Sequence, residues 1–198
     1  MRPTAEMARS IWWGFAVAGA IAAVAAAAMG LALAAPTRAV GAGQLLGGIA
    51  LLIAAARVPG GITSALPFLG AAVAGIVLGG FGVVLPSEDP RIALIAIGLW
   101  SVLAGAGYLA VARIARGLRV PDGGLLTAAW AAIGAGAAIS TLPAFKLGAS
   151  TVVPTAALAL SAAITIVASL RLRTLPDEAP GALSKREQRR RDRDTRGA

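Results

Sequence analysis

The sequence predicts an all-α membrane protein: six transmembrane helices organised as three αα-hairpin repeats, followed by a short basic tail. Three observations carry that prediction. First, 58% of the 198 residues are hydrophobic and only 14% are charged, with mean hydropathy +0.79, whereas a soluble domain carries roughly 25% charged residues. Second, the charges fall so unevenly that six stretches hold none, at 10–37, 39–56, 58–87, 92–112, 123–145 and 147–170. Each supplies the roughly 18 to 20 residues that cross a hydrocarbon layer about 30 Å thick. Third, an Arg closes every second stretch at a near-constant interval, at Arg57, Arg113 and Arg171.

The chain starts with a short polar segment, 1–10, carrying Arg2, Glu6 and Arg9, and the first helix is expected over 11–35. Ala32-Leu33-Ala34 has the small-x-small pattern of a signal-peptide cleavage site. A signal h-region runs only about 7–15 residues, so the longer run here is read as a retained helix, with Trp12 and Trp13 anchoring it in the headgroup layer. The second helix is expected over 40–56, the third over 62–85, the fourth over 92–112, the fifth over 125–142 and the sixth over 149–170. Pro36, Pro59-Gly60, Pro86 with Pro90, Pro121 with Gly123-Gly124, and Pro143 stand between them as breakers. Pro67 and Pro154 fall near helix starts, where a missing N–H costs little. The transmembrane domain thus occupies 11–173, and 174–198 form the tail.

Charge sets the expected orientation. With the amino terminus in the cytoplasm, fifteen of the eighteen basic residues lie inside, and only Arg38, Arg91 and Lys146 lie outside. The positive-inside rule then places both termini in the cytoplasm. Arg57, Arg113, Arg116, Arg119, Arg171 and Arg173 are the helix-end residues expected to hold that topology.

Residues 47–57 (GGIALLIAAAR), 103–113 (LAGAGYLAVAR) and 161–171 (SAAITIVASLR) align on their terminal Arg and share Ala54, Ala110 and Ala168. The hairpin prolines Pro36, Pro86 and Pro143 precede them at similar spacing. Each repeat is therefore read as a hairpin with a Pro-containing outer turn and an Arg at its inner exit; unrelated spans carrying topogenic arginines remain the alternative.

The stretch AGIVLGGFGVVLPSEDPRIALIAIGLWSVLAGAGYLAVARIARG (74–117) resembles one hairpin of the HdeD family of acid-resistance membrane proteins. Gly75, Gly79, Pro86, Trp100, Gly105 and Arg113 occupy places that match a Gly-rich helix, a Pro turn, and a helix bearing Trp, Gly and a final Arg. The close of the third hairpin, IVASLRLR (166–173), resembles the family's end, and the first hairpin matches least. The resemblance implies a six-span, multi-pass protein of the bacterial plasma (inner) membrane, associated with stress.

Chemistry is mostly excluded. The chain has no Cys and no His, which removes thiol nucleophiles and the usual metal and haem ligands. It also lacks a Gly-rich phosphate loop and a nucleophile elbow. No catalytic residue, cofactor or metal is expected, and the chain is read as a non-enzyme. No ionisable side chain is expected deep in a span, which argues against proton-driven transport.

Two kinds of candidate remain. Gly43 and Gly47 on the second helix, and Ala71, Gly75 and Gly79 on the third, form small-residue rows that let helices approach closely. The seam they form lies within one protomer or between the copies of a homo-oligomer. Among the polar residues Gln44, Ser101, Tyr108, Thr127, Ser140, Thr141, Thr155, Ser161, Thr165 and Ser169, the four Gln44, Ser101, Tyr108 and Thr127 would line a passage for a small neutral solute. Ser and Thr in such helices commonly bond their own i−4 carbonyl, and Gln44, near the outer boundary, could instead reach water.

The tail holds seven basic and three acidic residues over 185–196. It is expected to be largely disordered and solvated, with anionic lipid its alternative partner. The basic excess is a property of the tail, so no nucleic-acid binding is expected. Two functions follow: a non-enzymatic, HdeD-like stress or envelope component in the lipid bilayer, or a passive channel or carrier subunit for a neutral solute.

Overall fold

A computed structural model describes residues 4–58, 62–84, 89–117, 124–145 and 150–174. The expected disordered tail beyond Thr174, Arg119, and the turns at Pro59-Gly60, Pro86 and Pro121 lie outside the described residues. The six helices are α1 (Thr4–Gly30), α2 (Pro36–Ala56), α3 (Ile62–Val84), α4 (Pro90–Gly117), α5 (Leu125–Thr141) and α6 (Val152–Arg173), with a 3-10 turn, Leu142–Phe145, after α5. Five carry stretches long and apolar enough to cross a membrane, and α3 carries the shorter apolar segment Phe68–Val84. Large apolar side chains such as Val24, Leu66, Phe81, Val84 and Trp130 are more than half exposed around the outside. An aqueous exterior would not tolerate so much apolar surface, and a bilayer does.

Several boundaries differ from expectation because proline starts helices here as well as stopping them. α1 ends at Gly30, before 35, where the chain turns through Ala32 at φ 55°. Ala35 is extended (φ −62°, ψ 142°) and Pro36 is the first residue of α2. That is the conformation a residue before proline prefers, and the helix position where proline loses nothing. Pro90 opens α4 in the same way, and the Asp89 carboxylate accepts the Arg91 N–H at 2.9 Å, capping the first turn. At the other end α4 and α6 run on through their arginines to Gly117 and Arg173. Pro143 sits within the 3-10 turn.

The helices form a closed ring in chain order, and α6 packs back on α1. The pairing around this ring departs from the hairpins read in the sequence. The most extensive contacts join α2 to α3, α4 to α5 and α6 to α1, each the second helix of one hairpin against the first helix of the next. Within hairpins, α1 packs well on α2, whereas α3 on α4 and α5 on α6 touch much less. Small residues decide this. Gly98 and Gly136 bring α4 and α5 together, and a methyl group on either would lie within 2.7 Å of a backbone oxygen of the other helix. Gly19 brings α1 onto α6, where a methyl group would lie 2.7 Å from the Ile166 side chain and 3.3 Å from the Ala162 carbonyl oxygen. The even-numbered helices α2, α4 and α6 also touch one another at the centre.

Two apolar cores stack along the bundle. One lies toward the end bearing Arg57, Arg113 and Arg171 and contains Ile11, Phe15, Leu51, Phe68, Tyr108 and Leu172. The other lies toward the end bearing Pro36 and Pro90 and contains Met29, Val40, Leu94, Ile97, Ile139 and Leu158. Ile11 and Phe15 are fully buried, so α1 is a structural part of the bundle and not an appendage.

Candidate functional site

The candidate site is a belt of polar side chains around the junction of these two cores, and its members Trp100 and Tyr108 also belong to the first of them. Its members lie on the central helices: Gln44 on α2, Trp100, Ser101 and Tyr108 on α4, and Ser161 and Thr165 on α6, each at most 5% exposed. Their axial order follows from counting back to the repeat arginines. Gln44, Trp100 and Leu158 each stand thirteen residues before Arg57, Arg113 and Arg171 respectively. These three register-equivalent side chains line one cavity of about 10 Å³, which Ala18, Ala22 and Ser161 also line. A second cavity of about 10 Å³ lies beside Ser101, Ala104, Ala132, Ser161, Ile164 and Thr165. Each is about the size of a single water molecule, and Ser161 borders both.

Hydrogen bonds cross the belt between helices. Gln44 Nε2 donates to the Ala96 carbonyl of α4 at 2.8 Å. Ser101 Oγ is 2.8 Å from the Ile97 carbonyl on its own helix and 2.8 Å from Ser161 Oγ on α6. A hydroxyl has one proton, so with Ser101 donating to Ile97, Ser161 donates to Ser101. Among the described residues, three buried polar atoms have no hydrogen-bond partner in ordinary geometry: Gln44 Oε1, Trp100 Nε1 and Tyr108 Oη. Tyr108 Oη faces the Thr165 side chain. The Tyr108 ring lies tilted against Phe15 with centroids 4.7 Å apart and planes at 54°, and Phe15 meets Phe68 edge-on at 5.5 Å, so an aromatic plug closes the belt toward the arginine end.

The structure brings Gln44, Ser101 and Tyr108 into this interior and leaves Thr127 out. Thr127 is exposed on α5, whose buried face is Leu125, Ala129, Ala132, Gly136 and Ile139. Two residues beyond Leu125, it points about 200° away from that face, so it is corrected from lining to exterior. Gln44 does not reach water at a boundary; it is buried in the third turn of α2. Ser161 and Thr165 were two among the ten polar candidates named from the sequence. What distinguishes them is their register before Arg171, which sets them on the central face with Ala168 and Leu172. The remaining hydroxyls bond locally, Ser140 to Gly136, Thr141 to Ala138, Thr155 to Thr151 and Ser169 to Ile166.

The small-residue rows sit where helices meet within the chain, but the two rows do not face each other. Gly43 and Gly47 face Ala25 and Ala18 of α1. Gly75 and Gly79 face the backbone of α2 at Gln44, Leu45, Gly41 and Gly48, and Ala71 is fully buried beside them. Gly75 also ties this seam to the belt: a methyl group there would lie 2.9 Å from the Gln44 carbonyl oxygen and 3.1 Å from Trp100 Nε1.

Arg57, Arg113, Arg171 and Arg173 are exposed at the helix ends; the Arg116 side chain lies outside the described residues. Trp12 and Trp13 are half-buried, and each carries a guanidinium over its ring. Arg57 Cζ is 5.4 Å from the Trp13 centroid, and Arg173 Cζ is 5.0 Å from that of Trp12. Among the described residues no group of three or more His, Cys, Asp or Glu side chains could hold a metal ion. The chain matches no family model, no curated protein and no solved structure.

Proposed function

We propose that the protein is a packed, non-enzymatic membrane component of the stress- or envelope-associated, HdeD-like kind. The observation that carries this reading is the use of the central polar groups. Gln44 and Ser161 spend donors on bonds that tie α2 and α6 to α4, and Ser101 accepts from Ser161 while donating to Ile97 of its own helix. Such a belt cross-links a bundle, and the two described cavities beside it are too small to hold more than a water each. The resemblance of 74–117 to an HdeD hairpin supports the stress association. The basic split supports both termini being cytoplasmic, and the same resemblance supports a bacterial plasma-membrane setting.

The second reading, passive passage of a small neutral solute, draws on the three unpartnered polar atoms along the same axis. A deletion strain assayed for acid survival and for neutral-solute uptake separates the two: lost acid survival with unchanged uptake is expected. Proteoliposomes that pass glycerol or urea faster than protein-free vesicles would overturn the scaffold reading. Reporter fusions at Ser87 and at the carboxyl terminus should report outside and inside, and an extracytoplasmic carboxyl terminus would overturn the orientation.

A further inference from the structure

We propose that the arginine end of α1 carries a built site for the phosphate of an anionic phospholipid, formed by Arg57 and Arg173 on the Trp13 and Trp12 indoles. In the ring α1 lies between α2 and α6. Arg57 follows the last residue of α2, and Arg173 ends α6. Each cation rests on one of two consecutive indoles of α1, so two guanidiniums flank the same helix end. Both indoles are packed against the aromatic core, which holds them and, through them, the places of the two cations.

The chemistry selects the ligand. A guanidinium held over an indole keeps N–H groups turned away from the ring free to donate, and a pair of them matches two oxygens of a phosphate. Indoles on transmembrane helices favour headgroup depth, so the free edges are presented where lipid phosphates lie. Asp89, the one acid among the described side chains, stands at the opposite end of the bundle. The site differs from the expected tail contact: it is made by residues of the bundle itself and does not need 175–198.

The test uses the full chain in a neutral detergent. Thermal unfolding is followed on addition of phosphatidylglycerol, phosphatidylcholine or inorganic phosphate, and native mass spectrometry counts retained lipid independently of stability. Phosphatidylglycerol should raise the unfolding temperature by several degrees and remain bound, while the other two do neither. The pair Arg57→Gln with Arg173→Gln should lose at least half of that shift and the retained lipid. Arg57→Lys with Arg173→Lys, which keeps charge but loses the fork, should fall between. Arg38→Gln with Arg91→Gln, at the opposite end, and deletion of 176–198 should each leave the response intact. The proposal is overturned if inorganic phosphate reproduces the shift, if the Arg38/Arg91 pair lowers it equally, if removing the tail abolishes it, or if the Arg57/Arg173 pair still retains phosphatidylglycerol.

Discussion

Two faces of α2 show two different ways of holding a membrane bundle together. Toward α3, Gly41, Gly48, Gly75, Gly79 and Gly82 bring backbone against backbone, with no room for a single added carbon. Toward α4 and α6, the same helix presents Gln44 to a belt with two small cavities and three unpartnered polar atoms. Lipid tails are as apolar as leucine, so apolar burial gives helices no reason to associate; dispersion at close range and interhelical hydrogen bonds do. The seam uses the first and the belt the second. The difference teaches that α2–α3 should be intolerant of volume, and the belt intolerant mainly of misplaced polarity.

The largest effect is expected at the seam. Gly79→Leu would drive a side chain into the backbone of Leu45 and Gly41, which should destabilise the bundle by about 1–3 kcal/mol through overpacking. Gly80→Leu, with nothing within 4 Å of its Cβ position, should change stability by less than about 0.5 kcal/mol. Unfolding in mixed detergent with sodium dodecyl sulfate measures both, and equal stability of the two variants would break the contrast.

A smaller effect is expected in the belt. A double-mutant cycle of Ser101→Ala and Ser161→Ala should return a coupling near 0.6 kcal/mol, the average for interhelical hydrogen bonds in membranes. A coupling of zero would mean that the hydroxyls do not tie α4 to α6. The smallest effect belongs to Thr127→Val on the outer face of α5, expected within about 0.5 kcal/mol. A larger loss by the same unfolding assay would place Thr127 in a contact that this bundle does not contain.

What could be read from the sequence follows from how each property is encoded. The number and approximate extent of the helices were legible because charge is excluded from every span, and the arginine register was legible because it repeats. Partner choice between helices was not. Ala and Gly occur on all faces, so a row such as Gly43 and Gly47 does not say whether it meets α1 or α3, and the tighter pairing of α4 with α5 than with α3 depends on Gly98 and Gly136 meeting across a turn. Gln44 stood out as a large amide in an apolar run, whereas its carbonyl partner at Ala96 carries no side-chain signal. Thr127 was misplaced because α5 has a weakly defined apolar face.

The closure of the ring by α6 on α1 has a consequence for assembly. Gly19 meets Ala162 and Ile166, residues made almost 150 positions later. At about 5–20 residues per second, α1 waits roughly 7 to 30 seconds in the bilayer before its second neighbour exists. During that interval the face destined for α6 is covered by lipid or by the insertion machinery. A face of Gly and Ala with no charge can wait there at little cost, whereas a face bearing Gln44 or Ser161 would search for another hydrogen-bonding partner. The belt residues are confined to α2, α4 and α6, so the helix that waits longest for its last neighbour is one that carries none of them.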